Sequence, residues 1–235
     1  MTTGFGIDLG AFGRRRGTAI AAARRSEKGV LLCVLEGTVF DNVFAGPERV
    51  DEQLCSEREL LIDLLKWGQV AVDVPLDLQK LPCTKMPTWN WELTLRPVDK
   101  AFQAMPPLAS FLGHCVARFQ CHFRALQTQA LLETYPAGSR ELCRGELEKA
   151  FAMLDGNFSR DEMDAALCAL VAVAEDDEFL GGDELDAVIC GRLSAFGEGV
   201  YIAPRNFRLL RRPSQLIKFE RMLFNTWLRE CQTRD

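Results

Sequence analysis

With 235 residues and 48% apolar side chains, the chain can bury one sizeable core, which points to one domain with an insertion and argues against two full domains. A net charge of −5 and a pI near 5.3 exclude the uniformly basic surface of a general nucleic-acid binder. Acid gathers between Glu133 and Glu198, while Arg205, Arg208, Arg211, Arg212, Lys218 and Arg221 make the C-terminal region basic, leaving room for a local phosphate-binding face.

In chain order, Gly4 to Leu9, Thr18 to Ala23 and Val30 to Leu35 read as three strands separated by Gly- and Arg-rich turns, most economically a meander. Between Gly46 and Trp67 the apolar residues Val50, Leu54, Leu61, Leu64 and Leu65 fall at helical spacing. Gln69 to Val74 is a short apolar strand of the kind buried in a parallel sheet, stopped by Pro75. Residues 77–107 follow with Pro82, Pro87, Pro97, Pro106, Pro107, Trp89 and Trp91, the composition of an insertion or active-site flap. Trp89 and Trp91 offer faces for base stacking, although such residues more often pack a loop down.

Leu108 to Gln129 is expected to be helical, and Ala130 to Tyr135 to form a strand ended by Pro136. Helices are expected at Arg140 to Leu154 and at Ser159 to Ala174, the latter with Ser159 as N-cap and Glu162 completing a capping box. Val200 to Ala203 reads as a late strand and Ser214 to Glu230 as a terminal helix, within a basic C-terminal extension over 205–235. There is no internal repeat.

The nine cysteines are scattered, odd in number and never spaced as Cys-x-x-Cys; buried free thiols in a reducing compartment are expected, and structural zinc is not. The opening residues carry no secretion-signal pattern and no segment reaches the roughly 20 apolar residues of a membrane span. A cytoplasmic protein without membrane contact is therefore expected. His114 and His122 have no nucleophile beside them in the pattern, so core or surface roles are expected of both.

The chemistry lies in four acidic islands. Asp8 follows Phe5-Gly6-Ile7 at the end of the first strand, where a buried acid needs a partner or a cation unless it simply makes a turn. Gly10 and Gly13 allow close approach to a ligand and equally allow a turn, and no Gly-Lys-Ser/Thr phosphate loop exists. Asp73 repeats the arrangement after Val70-Ala71-Val72, and two acids on neighbouring central strands would face the crevice at the strand ends. Glu133, after Leu131-Leu132, suits a ligand role and a loop-supporting role equally. Asp161 and Asp164 share a helix face beside a small-residue surface, although Asp161 also fits as a first-turn acid favouring the helix dipole. The candidate catalytic carboxylates are thus Asp8, Asp73, Asp161, Asp164 and Glu133.

Six short motifs taken together carry a resemblance: Gly6-Ile7-Asp8, Val72-Asp73-Val74-Pro75-Leu76, Arg96-Pro97-Val98-Asp99, Glu133-Thr134-Tyr135-Pro136-Ala137, Asp161-Glu162-Met163-Asp164-Ala165 and Glu198-Gly199-Val200-Tyr201-Ile202-Ala203-Pro204. Their succession over nearly the whole chain resembles the domain of unknown function 429 family, grouped with ribonuclease H-like folds and described as predicted nucleases. The Asp-x-x-Asp-Ala element also resembles the last acidic motif of RuvC-type Holliday-junction resolvases.

The resemblance implies an α/β, ribonuclease H-like mixed sheet flanked by helices, a single domain over 1–235 with a Pro-rich insertion and a helical C-terminal extension. It further implies that Asp8, Asp73 and Asp164 or Asp161 converge on one or two Mg or Mn ions for phosphodiester hydrolysis. Arg96 and Asp99 match the family's Arg-x-x-Asp element, as substrate contacts or as a pair fixing the flap. Nucleic acid or a nucleotide is the partner implied; oligomeric state is not. Asp8-Leu9-Gly10 also resembles the first phosphate motif of actin-like kinases and ATPases, which gives a nucleotide-binding alternative, and a noncatalytic interaction protein on the same fold is the third reading.

Overall fold

The computed structural model describes residues 2–9, 18–27, 29–35, 50–76, 110–128, 130–137 and 158–174. The expected insertion at 77–107, the helix at Arg140 to Leu154, the strand at Val200 to Ala203, the helix at Ser214 to Glu230 and the extension at 205–235 lie outside the described residues.

The first three strands, β1 (Thr2–Asp8), β2 (Ala19–Ser26) and β3 (Gly29–Leu35), form the expected antiparallel meander. Helix α1 (Val50–Trp67) returns the chain so that β4 (Gln69–Val72) pairs parallel to β1. Helix α2 (Ser110–Leu126) precedes β5 (Leu131–Glu133), which pairs parallel to β4. Helix α3 (Arg160–Ala172) follows. The sheet order is β3-β2-β1-β4-β5. An antiparallel meander continued by two parallel strands in this order is the topology of the ribonuclease H-like α/β fold. Pro136 and Ala137 are already helical rather than merely ending a strand, a place where proline's fixed φ and missing N–H cost nothing.

The two faces of the sheet are filled differently. Phe5, Ile7, Val70, Val72 and Leu131 pack with Leu60, Leu61 and Leu64 of α1 and Cys115, Val116 and Phe119 of α2. These helices bury one stripe each, at three- and four-residue spacing. The opposite face receives α3, where Ala71 and Leu132 pack with Cys168, Val171 and Ala172. Every residue of α3 from Asp164 to Ala172 is buried.

Small residues on β1 allow α3 to lie close. A Cβ at Gly6 would stand 2.1 Å from both the Ala165 carbonyl oxygen and the Ala169 nitrogen, and one at Gly4 would stand 2.6 Å from the Ala172 Cβ. The described cysteines, 33, 55, 115, 121 and 168, are all free thiols, as expected, but Cys55 and Cys121 are exposed on the outer faces of α1 and α2. The apolar stretches around them are amphipathic helices, so an apolar neighbourhood in sequence does not put every member inside. No helix among the described residues is long and apolar enough to cross a membrane.

Candidate functional site

Strand pairing fixes where the acids stand. Ile7 is in register with Val72, and the Asp73 N–H donates to the Ile7 carbonyl at 3.1 Å, continuing the ladder past the end of β4. Asp8 and Asp73 therefore leave adjacent parallel strands at the same level, on backbones about 4.8 Å apart. Side chains alternate between the faces of a sheet. On β1, Phe5 and Ile7 point toward α1 and α2 whereas Gly4 and Gly6 face α3, which places Asp8 on the α3 side. On β4, Val70 and Val72 belong to the first face and Ala71 to the second, so Asp73 falls on the α3 side as well. Both acids are half-buried.

Helix α3 brings the remaining pair to the same end. It runs back along β1, since Gly4 lies against Ala172 and Val173 while Gly6 lies against Ala165, Cys168 and Ala169. Two residues of strand advance about 6.6 Å and four residues of helix about 6 Å, so the next step along β1, to Asp8, meets the turn holding Asp161 and Asp164. Asp164 stands one turn before Cys168 on the packed stripe and is only 6% exposed. Arg160 Nε lies 3.9 Å from its Oδ2, from a largely exposed side chain.

This helix begins on the expected capping box. The Ser159 hydroxyl accepts from the Glu162 N–H at 3.2 Å and Glu162 Oε2 accepts from the Ser159 N–H at 2.7 Å. Ser159→Ala is expected to lower stability by about 1 kcal/mol, read as a shift of the urea midpoint; an unchanged midpoint would show that the cap contributes nothing.

A thiol on α2 reports the charge at this end of the sheet. Cys115 Sγ donates to the Leu9 carbonyl at 3.7 Å. Burial pushes this thiol's pKa up, Arg118 opposes the rise, and the charges of Asp8, Glu57 and Asp73 add to it. Asp8 and Asp73 are thus both within electrostatic reach of one sulfur atom.

Glu133 stands apart. It is in register with Val72, so it shares the face of α1 and α2, opposite to Asp73. It is 3% exposed, and its Oε2 accepts the Leu76 N–H at 2.7 Å. Gln120 of α2, which no sequence pattern singles out, donates to the Leu76 carbonyl from the other side. Arg96 and Asp99 lie outside the described residues.

The donor set at the α3 side is all carboxylate, which suits a hard divalent cation and not zinc. Among the described residues no three His, Cys, Asp or Glu side chains form a ready metal-holding group. A magnesium site does not require one, because one or two carboxylates commonly hold the ion with water and substrate oxygens completing its shell. The in-register pair Asp8 and Asp73 presents two carboxylates at one level of the sheet.

The sheet topology and these acids define the protein as an α/β chain of ribonuclease H-like fold with a carboxylate-lined strand end. No family model and no curated protein matches the sequence. Among solved structures the chain is similar to "T. thermophilus RuvC in complex with Holliday junction substrate", at 14% identity over 72% of this chain and 91% of that chain, with a TM-score of 0.40. So slight a likeness carries no argument about chemistry, and the fold assignment rests on the strand order and directions.

Proposed function

We propose that the chain is a metal-dependent nuclease that hydrolyses phosphodiester bonds at the carboxyl ends of β1 and β4. The observation carrying this reading is the in-register placement of Asp8 and Asp73 on one face, beneath the helix turn of Asp161 and Asp164. Two carboxylates leaving neighbouring strands at one level repel one another unless a cation stands between them. Asp8 and Asp73 would hold the first of one or two Mg or Mn ions, and Asp164, with Asp161 at the more open end of the same helix face, would supply the further carboxylate when metal and substrate are bound. A bound ion of this kind supplies Lewis-acid activation of water and stabilisation of the leaving oxygen.

The chain's own part is to hold the acids still. Asp8 and Asp73 are fixed through a shared backbone ladder, and Asp164 through the pressed contact of α3 on β1. Resemblance to the domain of unknown function 429 family supports the same reading and adds Arg96 and Asp99 as substrate contacts. Nucleic acid or a nucleotide as partner, and a cytoplasmic location, belong to the same proposal.

The test is cleavage of single-stranded, duplex, hybrid and branched nucleic acids with Mg²⁺ or Mn²⁺. Asp8→Asn and Asp164→Asn are expected to reduce cleavage by more than about 100-fold, beyond the loss typical of residues that merely orient a ligand. Parent and variants that are equally inactive and indistinguishable in metal binding would sink the proposal.

A further inference from the structure

Asp73 lies one residue beyond β4, still bonded to β1 but at the start of the segment that leaves the sheet, and its position depends on what holds that segment. One end is the Asp73 N–H on the Ile7 carbonyl. The other is Leu76, whose N–H is bound by Glu133 of β5 and whose carbonyl is bound by Gln120 of α2. Val74 and Leu76 are buried between these two points. We infer that Glu133 is a positioning residue: with Gln120 it clamps both polar groups of Leu76 and thereby sets the place of Asp73 at the metal-binding end of the sheet.

This rests on the nuclease reading and assigns Glu133 a different task from the aspartates. Its register with Val72 sends it to the sheet face opposite Asp8 and Asp73, away from where an ion would be held. Its carboxylate is buried, a state that is costly without hydrogen bonds, and the Leu76 N–H supplies one. An amide oxygen at the same place accepts that N–H too, whereas a metal ligand loses its function when its charge is removed. The role therefore separates cleanly from ligation in the conservative variant.

The experiment compares the full-length parent with Glu133→Gln, Glu133→Ala, Gln120→Met and Asp73→Asn. Mn²⁺ affinity, kcat and KM for Mg²⁺-dependent cleavage, and hydrogen exchange of the Leu76 amide are measured for each. Glu133→Gln is expected to keep most of the parent's Mn²⁺ affinity and kcat and to leave Leu76 protected. Glu133→Ala is expected to lose about 10- to 100-fold in kcat with KM little changed, and to speed Leu76 exchange. Gln120→Met should move kcat in the same direction, and it keeps the test decisive if Glu133→Ala does not fold. A Glu133→Gln protein as damaged in Mn²⁺ binding as Asp73→Asn, with Leu76 still protected, would overturn the inference and make Glu133 a ligand. A parent that neither binds Mn²⁺ nor cleaves removes the nuclease reading and the positioning role with it, an outcome distinct from failure of Glu133→Gln on a working parent.

Discussion

Gly6→Ala is expected to destabilise the protein by about 3 kcal/mol or more, the upper end of the range for forcing an extra methyl group into a packed interior. The added Cβ would meet the Ala165 carbonyl oxygen and the Ala169 nitrogen at 2.1 Å and the Cys168 Cβ at 2.6 Å. Two of these are backbone atoms of α3, so no side-chain rotation relieves the clash and the helix itself has to move. Gly4→Ala should cost less, because its shortest contacts are longer, at 2.6 to 2.8 Å, and two of the three are to side-chain carbons. Urea midpoints of the two variants test the ordering. A parent-like midpoint for Gly6→Ala would show that α3 rides on β1 with slack. In that case the contact could not be what holds Asp164 opposite Asp8. Where the variant stays folded, its Mn²⁺ affinity should fall, since α3 carries Asp161 and Asp164.

Local signals in the chain agree with the elements that form. Short runs between Gly- and Arg-rich turns matched the meander, helical spacing matched α1, and Ser159 with Glu162 matched the start of α3. The four acidic islands do fall at or beside the elements expected of them, all toward one end of the sheet, with those of Asp8, Asp73 and Asp164 on the α3 face and that of Glu133 on the other. What was not legible depends on which elements meet. Gly10 and Gly13, which allow close approach to a ligand or equally a turn, lie outside the described residues, and the tight contacts within them, at Gly4 and Gly6 against α3 and at Gly68 against the Thr3 carbonyl, follow from which elements meet. The two roles open to Glu133 could not be separated without the register of β5 on β4, since a one-residue slip would send its side chain to the other face. Gln120 carries no pattern at all. Its importance comes from lying beside a carbonyl 44 residues away.

Glu57→Leu is expected to cost about 3–5 kcal/mol, the penalty for breaking a buried ion pair by removing one partner. Glu57 of α1 and Arg118 of α2 are both buried, and the guanidinium donates to both carboxylate oxygens, with Nε 3.4 Å from Oε2 and an Nη on Oε1. His122, one turn further along α2 and fully buried, places Nε2 2.8 Å from the same Oε2, while its Nδ1 has no hydrogen-bond partner among the described residues. This cluster joins residues 61 and 65 positions apart, which is why His122 read only as a core or surface histidine in the sequence. Removing the carboxylate alone leaves the buried Arg118 charge without its Glu57 ion pair. Removing both charges does not, so Glu57→Leu combined with Arg118→Met should recover much of the loss and stand closer to the parent than Glu57→Leu alone. Urea midpoints of the parent, the two single variants and the double variant close the cycle. A Glu57→Leu protein as stable as the parent, or a double variant worse than the sum of the singles, would mean that the cluster is not the charge-compensated junction between α1 and α2. A large coupling would locate there the contact that keeps α2, and with it Gln120 and Cys115, seated against the strand ends where the acids lie.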